Sequence, residues 1–257
     1  MDYLKSLFDL TGKIALVSGS SRGLGLTLAA GLARSGARVV LNGRDPAAVE
    51  AAAARLRAEG FAADGFAFDV TDYAAIDAAL TRIEREVGPV DILVNNAGIQ
   101  RRRSLEEFPE DDFRAILETN LTSAFLLSKR VVRGMIERRA GKIVNICSLM
   151  SEVGRPTIAP YAASKGGLKM LTRGMAVDWA KHGIQANAIG PGYFKTEMNA
   201  ALVADPVFDR WITGRTPAGR WGDPDELIGA LVFLCSPASS FVNGQILYVD
   251  GGVLAGI

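Results

Sequence analysis

The stretch Lys13-Ile-Ala-Leu-Val-Ser18-Gly19-Ser-Ser-Arg-Gly23-Leu-Gly25 decides the fold. Its apolar run, too short for a helix and followed at once by glycine, reads as a strand buried on both faces. The three glycines permit a tight turn, a close approach of the backbone to a ligand, and close packing of the next helix on the strand. A helix is expected from about Gly23 to Ser35. Its first N–H groups lack partners within the helix and face the turn, an arrangement suited to phosphate. Gly19, Ser21, Arg22, Gly23, Leu24 and Gly25 are therefore candidate contacts for a dinucleotide. A glycine turn can also be an ordinary strand-to-helix connection; its place between a strand and a helix is what favours the dinucleotide.

Outward from this unit the chain keeps alternating. Arg38–Leu41 reads as a second strand, followed by an Ala-rich helix from Pro46 to Glu59 with proline in its first turn. The apolar segment Phe66–Phe68 precedes Asp69, and Asp72 is placed to cap a helix running to about Val87. A strand at Val90–Val94 leads to one long helix near Asp111–Arg138, then a strand at Lys142–Cys147. A helix over about Pro160–His182 precedes a strand at Ile184–Ile189. A helix near Asp223–Cys235 precedes a last strand at Ile246–Val249. Continuous apolar strands separated by helices predict an α/β fold, a doubly wound parallel sheet covered on both faces. No linker, repeat or low-complexity segment divides the chain, so one domain over residues 1–257 is expected.

Composition excludes several classes. With 29 basic and 28 acidic side chains the net charge is +1, which offers no field for nucleic acid or an anionic membrane. No apolar run approaches the roughly 20 residues that span a bilayer, and the first residues do not resemble a signal peptide. Cys147 and Cys235 are the only cysteines, without metal or disulfide spacing, and the carboxylates show no metal-binding spacing either. A metal-free protein of the reducing cytoplasm is expected. His182 is the only histidine and stands before Gly183 at an expected helix end. A capping role follows, and a Ser-His hydrolase is disfavoured.

The end of the second strand bears on the nucleotide. NAD sites usually carry an acid there, about 20 residues past the turn, for the ribose 2′-hydroxyl. Here the strand ends in Leu41-Asn42-Gly43-Arg44, with no carboxylate. Arg44, with Arg22, suits a 2′-phosphate, so NADP is the expected cofactor and Asn42 a candidate contact.

Tyr161-Ala-Ala-Ser-Lys165 carries the chemistry. Residues four apart share a helix face, so a phenol and an ammonium are neighbours. An adjacent cation favours the phenolate and fits tyrosine for acid–base work. Ser148 lies just past a strand end, where such sheets place ligands, and its hydroxyl can bind a reacting oxygen.

Taken together, Ser18–Gly25, Asn95-Asn96-Ala97-Gly98, Asn120, Ser148, Tyr161 with Lys165, and Pro191-Gly192 resemble, in order and over nearly the whole chain, the motifs of the short-chain dehydrogenase/reductase family. Ser18 departs from the family's usual threonine but keeps the hydroxyl. The resemblance implies a seven-stranded Rossmann sheet and a hydride-transferring oxidoreductase. It also implies a homotetramer, built through the two long helices that precede and follow Ser148. By it Tyr161 is the general acid/base, and Ser148 orients the substrate oxygen. Lys165 holds the nicotinamide ribose and lowers the tyrosine pKa, while Asn120 holds a relay water. Asn96, Ala97 and Gly98 lie along the cofactor, Asp69 and Val70 near adenine, and Pro191, Gly192, Phe194 and Thr196 near the carboxamide.

Further stretches narrow the resemblance to members acting on sugar acids: Asn95–Arg102, Asn145–Ser148, Gly192–Met198 and Arg215–Pro224. Phe241–Gly244 and Val249–Gly252 also belong to it, although many relatives share these. Arg101, Arg102 and Arg103 leave the fourth strand at the rim of the expected site. Arg101 is the candidate partner of a substrate carboxylate, against the alternative of a solvated basic loop, and Arg103 is expected to point into solvent. Glu152 and Arg155 are placed to bind substrate hydroxyls or to anchor their own loop. Residues 193–221 are rich in loop signals and are expected to form a lid, with Trp211 and Trp221 as core anchors. Two alternatives stay open: a reductase of another sugar acid or of a 3-oxoacyl thioester, and a non-catalytic NADP-binding regulator. The presence of Ser148, Tyr161 and Lys165 together disfavours the second.

Overall fold

The apolar run that follows Lys13 forms strand β1 (Ile14–Val17), an interior strand of a sheet in a computed structural model that describes residues 3–256. Six more strands join it: β2 (Arg38–Gly43), β3 (Ala63–Ala67), β4 (Ile92–Asn95), β5 (Gly141–Ile146), β6 (Ile184–Pro191) and β7 (Ile246–Val249). All pair in parallel, in the order β3-β2-β1-β4-β5-β6-β7. The order reverses at β1, flanked by β2 and β4, and such a reversal opens a crevice at the carboxyl ends of the strands.

Alternating side chains feed two cores. Ala15, Val17, Val39, Leu41, Ile92 and Val94 pack under the helices α2 (Gly23–Arg34), α3 (Pro46–Ala58) and α10 (Ile228–Cys235). Leu16, Val40, Leu93 and Ile143 pack under α4 (Tyr73–Glu86), α6 (Ser123–Arg138) and α7 (Ala159–Trp179) on the other face. Asp45 and Asp72 accept from the first N–H groups of α3 and α4, the caps that hold their entry. Two short helices, α1 (Tyr3–Phe8) and α8 (Ala200–Val203), were not legible from periodicity; α5 (Glu110–Leu117) and α9 (Pro206–Arg215) complete the set.

The long helix expected over residues 111–138 is present but carries an interruption. α5 runs into a π-turn at Glu118–Thr122 before α6 begins. The wide turn accommodates an added residue and swings Asn120 inward, where it is 1% exposed. The disturbed ladder is offset by two bonds to a neighbouring loop: Asn120 Oδ1 accepts from Ile99 N at 2.8 Å, and Nδ2 donates to Ile99 O at 3.0 Å. α7 ends at Trp179 rather than at His182, which lies in a 3-10 turn closed by Gly183 at φ 75°. The last helix also opens as a 3-10 turn, Pro224–Leu227, behind a capping box of Asp223 and Glu226. Cys147 and Cys235 are free and buried. Among the described residues no helix is long and apolar enough to cross a membrane.

Leu93 is fully buried in the central strand β4. Leu93→Ala is expected to destabilise the fold by about 2–5 kcal/mol. Leu105→Ala, at a side chain 63% exposed, should cost under about 0.5 kcal/mol. Denaturant midpoints of the two variants check this.

Candidate active site

The glycine turn after β1 is held by side chains from three strands. Asn42, 1% exposed, accepts from Gly19 N at 3.1 Å and donates to Phe68 O at 3.0 Å. Ser20 Oγ donates to Val17 O and accepts from Asn42 N. Ser18 Oγ accepts from both Asn96 N and Ala97 N at 3.0 Å, and Asn96 Nδ2 donates to Ser18 O and Gly19 O. Asn42 is thus a brace between β2 and the turn, with both side-chain amide atoms engaged. Gly19 adopts φ 62°, and a side chain on it would meet Ala97 Cα at 2.9 Å. At Gly25 a Cβ would lie 2.3 Å from Gly19 O, so only glycine lets the helix sit this close. Arg22 caps α2 with no side-chain bond, leaving the first N–H groups of the helix open to the crevice.

Around that turn the expected contacts gather at one rim. Ser21 lies against Gly43, and Gly23 and Leu24 border a groove of about 450 Å³ shared with Thr196 and Glu197. The groove runs down α2 toward Arg34 and does not include Tyr161. Asp69 accepts from Thr71 N and Oγ1, bonds that hold its carboxyl below the usual range with help from Arg44 nearby. Val70 is buried beside it, and Arg44 is exposed. Arg22 pairs with Glu197 at 3.6 Å, both side chains well exposed. Gly98 packs near Asn120 Oδ1. Pro191 ends β6, and Gly192 N donates to Val249 O. The Phe194 ring is buried in the core and packs against Gly222.

Tyr161, Ser148 and Lys165 come together beyond the carboxyl ends of β4 and β5. Ser148 leaves β5 in extended conformation, and its Oγ accepts from Met150 N at 3.1 Å. Burial pushes the Tyr161 phenol up to about 12, and a hydrogen bond from Ser148 pulls the other way. Lys165 is 4% exposed. Its Nζ donates to Ile146 O at 2.6 Å and lies 5.8 Å from the centre of the tyrosine ring. Burial lowers the ammonium to about 8. The expected lowering of the tyrosine by Lys165 is therefore not what governs the phenol, because the ammonium is turned to the Ile146 carbonyl and burial dominates. Asn120 Nδ2 also donates to Ser164 Oγ, which donates to Tyr161 O, so the π-turn braces the first turn of α7.

The basic loop divides otherwise than expected. Arg101, the arginine chosen for a carboxylate, forms an ion pair with Asp112 on α5 in which both side chains are partly exposed. Arg103 N donates to Thr157 O, so this loop runs beside the one that follows Ser148. Thr157 itself is held at φ 71°, a strained conformation for a β-branched residue. Across that seam Arg102 and Arg155 approach each other. Burial and then Arg155 lower the Arg102 pKa, while Tyr193, raised by burial, feels both cations. The Arg155 guanidinium lies 5.1 Å from the centre of the Phe208 ring, and its Nε is buried without a hydrogen-bond partner. Glu152, expected either to bind substrate hydroxyls or to anchor its loop, accepts from the Tyr248 hydroxyl at 2.6 Å and pairs with Lys169, the contacts of an anchor.

The segment 193–221 is more helical than its loop signals suggested, since it contains α8 and α9. Tyr193, Phe208, Trp211 and Trp221 form an aromatic cluster there. Trp221 is buried and donates to Asp209, as a core anchor should; Trp211 is 49% exposed and is not one. Tyr193, Phe208, Ser164 and Tyr248 are not among the site residues expected from sequence, whereas Arg102 is named in the arginine run without being chosen. All three arginines of the run keep an exposed surface, and only the fold says that Arg102 is the one brought near Arg155.

A parallel sheet with a glycine turn at its switch point and a Ser-Tyr-Lys constellation beyond its carboxyl ends defines a dinucleotide-dependent oxidoreductase. The chain belongs to the short-chain dehydrogenase/reductase family, and the family model described as enoyl-(acyl carrier protein) reductase matches residues 19–254. It is 54% identical over 254 residues to 5-keto-D-gluconate 5-reductase of Escherichia coli (strain K12), covering 99% of this chain and 100% of the relative. It is 57% identical over 247 residues to gluconate 5-dehydrogenase of Gluconobacter oxydans (strain 621H), covering 96% of each. A crystal structure of a gluconate 5-dehydrogenase from Burkholderia cenocepacia J2315, in complex with NADP and tartrate, superposes with a TM-score of 0.97. That protein is 55% identical, with 99% of this chain and 100% of that one covered.

Asn42→Ala would leave Gly19 N–H and Phe68 C=O without the side chain that now joins them. The expected cost is about 1–3 kcal/mol of stability, with weaker binding of the nicotinamide dinucleotide. The NADP-to-NAD preference should stay unchanged, because no ligand contact is lost. Thermal melting and cofactor titration check both parts.

Proposed function

We propose that the protein is an NADP-dependent oxidoreductase that interconverts D-gluconate and 5-keto-D-gluconate, working as a homotetramer in the cytoplasm. The observation that carries the substrate class is the basic pair Arg102 and Arg155, with a buried guanidinium nitrogen that has no partner, next to Tyr193, which in turn neighbours Tyr161. Two cations drawn together, with no ion pair to a carboxylate among the described residues, suit an anionic substrate group. The extended similarity to proteins named for gluconate and 5-keto-D-gluconate supports the same reading.

The residues present fit a dinucleotide phosphate. The close contact at Gly25 and the uncapped start of α2 leave backbone donors free at the crevice. Arg44 and Arg22 would hold the 2′-phosphate; the exposed pairing of Arg22 with Glu197 is weak and readily exchanged. Asp69 and Val70 would border the adenine, Asn96, Ala97 and Gly98 the middle of the cofactor, and Pro191, Gly192 and Thr196 its far end. The cofactor supplies or receives the hydride.

The protein handles the proton and the placement. With its pKa pushed up to about 12, Tyr161 keeps its proton at neutral pH and donates it to the ketone oxygen during reduction. In the oxidative direction the phenolate must form first, so alkaline pH favours that direction. Ser148 orients the reacting oxygen, Lys165 binds the ribose, and Asn120 with Ser164 keeps the first turn of α7 in register. Arg102 and Arg155 bind the carboxylate, and the aromatic cluster of residues 193–221 closes over them as a lid.

NADPH oxidation with 5-keto-D-gluconate, against a neutral ketose such as D-fructose, tests the reading; activity should be confined to the acid. Losing a charge-assisted bond costs roughly 1.5–3 kcal/mol, about 10- to 150-fold in affinity. Arg155→Ala and Arg102→Ala should each raise KM for the sugar acid by that factor and leave KM for NADPH nearly unchanged. Arg101→Ala should matter little. A large effect at Arg101 with none at Arg102 or Arg155 would overturn the assignment.

A further inference from the structure

Glu152 lies four residues past Ser148, at the close of the 3-10 turn Leu149–Ser151. Its N–H donates to Leu149 O, so it belongs to the folded turn rather than to the loose loop beyond. Its carboxylate binds two elements that are remote in sequence. Lys169, one helical turn past Lys165 on α7, pairs with Oε1. Tyr248, in the last strand β7, donates its hydroxyl to the same oxygen at 2.6 Å.

The reach of Tyr248 is built into the sheet. Gly190 stands beside it in β6, and a Cβ there would come within 2.3 Å of Tyr248 Cδ1 and Cε1. The ring therefore lies flat over a position that has no side chain, which lets the hydroxyl cross β6 to the Ser148 turn. The turn has two further ties: Ser148 Oγ accepts from Met150 N, and Ser151 Oγ donates to Lys165 O. Side chains of Ser148, Ser151 and Glu152 thus fasten the turn, and Glu152 supplies the only charged link among them.

We infer that Glu152 is a positioning residue for the reaction, holding the Ser148 hydroxyl at a fixed distance from Tyr161 through Lys169 on the catalytic helix and Tyr248 on β7. A hydroxyl that must bind the reacting oxygen within hydrogen-bond reach tolerates little drift, and a charged clamp on its own turn limits that drift. The groups facing the carboxylate are Lys169 and Arg173 from α7, Tyr248 from β7 and Cys147 from the end of β5. Lys169 and then Tyr248 hold Glu152 below the usual carboxylate range, so it stays charged throughout the neutral range. The inference rests on the reading of Ser148 given above.

The test is a double-mutant cycle between Tyr248→Phe and Ser148→Ala, with 5-keto-D-gluconate and NADPH as substrates and melting temperature recorded for each variant. Tyr248→Phe keeps the ring over Gly190 and removes only the hydroxyl. It should lower kcat about 3- to 30-fold, a range set by couplings between residues of one network, with KM for NADPH little changed. In the Ser148→Ala background the same change should lower kcat less than about twofold, because the group being positioned is gone. Glu152→Gln keeps an acceptor for Tyr248 and loses the charge, and should fall between wild type and Glu152→Ala. Equal losses in both backgrounds, no loss of kcat, or a rise confined to KM for the sugar acid would overturn the inference. A lower melting temperature with unchanged kcat would do the same. Unchanged turnover in Ser148→Ala alone would refute the reading of Ser148 and the inference with it; a Ser148 effect without coupling would refute the inference alone.

Discussion

The hydrogen bonds that Ser18, Ser20 and Asn42 make across the carboxyl ends of β1, β2 and β4 are the constraint from which the site follows. They fix the glycine turn against two neighbouring strands, with donors and acceptors all but excluded from water. Unpaired buried polar groups cost about 1–3 kcal/mol each, so a turn satisfied by three side chains has few alternative conformations of similar energy. The start of α2 inherits that rigidity, and its open N–H groups become a fixed feature of the crevice rather than a fraying end.

A second buried polar chain does for the catalytic end what the first does for the turn. Asn95 donates to Ser128 Oγ and Asn145 Oδ1, and Asn145 donates to Thr172 Oγ1, joining β4, β5, α6 and α7 inside the core. Above it the π-turn places Asn120 between the loop at Ile99 and the start of α7. Tyr161 and Lys165 therefore stand on a helix tied to the sheet from below and from the side. Burial keeps the phenol protonated and depresses the ammonium. The same dry environment that raises the cost of a phenolate strengthens every hydrogen bond aimed at the reacting oxygen.

The sheet and the chemistry were legible because they rest on local signals. Gly19, Gly23 and Gly25 follow an apolar strand, Tyr161 and Lys165 stand four apart, and both are patterns a linear chain displays. What remained hidden depends on one residue facing another across distant segments. Nothing local says that Asp112 takes Arg101, leaving Arg102 to meet Arg155. Nor does any spacing link Glu152 to Tyr248, 96 positions away. The π-turn escaped for a different reason: an inserted residue shifts the phase of the apolar stripe without erasing it, so periodicity reads straight through it. Phe194 and Trp211 show the limit of side-chain type as a guide, the first buried in the core and the second half exposed.

The central claim is that Tyr161 carries the proton between protein and substrate. The direct measurement is the rate of NADPH-dependent 5-keto-D-gluconate reduction and of gluconate oxidation from pH 6 to 10, for the native chain and for Tyr161→Phe. General acid–base catalysis contributes about 10²- to 10⁴-fold, and the variant should lose at least that much in both directions while still binding NADPH. In the native chain oxidation should climb with pH as the phenolate becomes accessible, whereas reduction should not. Turnover in Tyr161→Phe near the native rate, with the same climb in oxidation, would contradict the account.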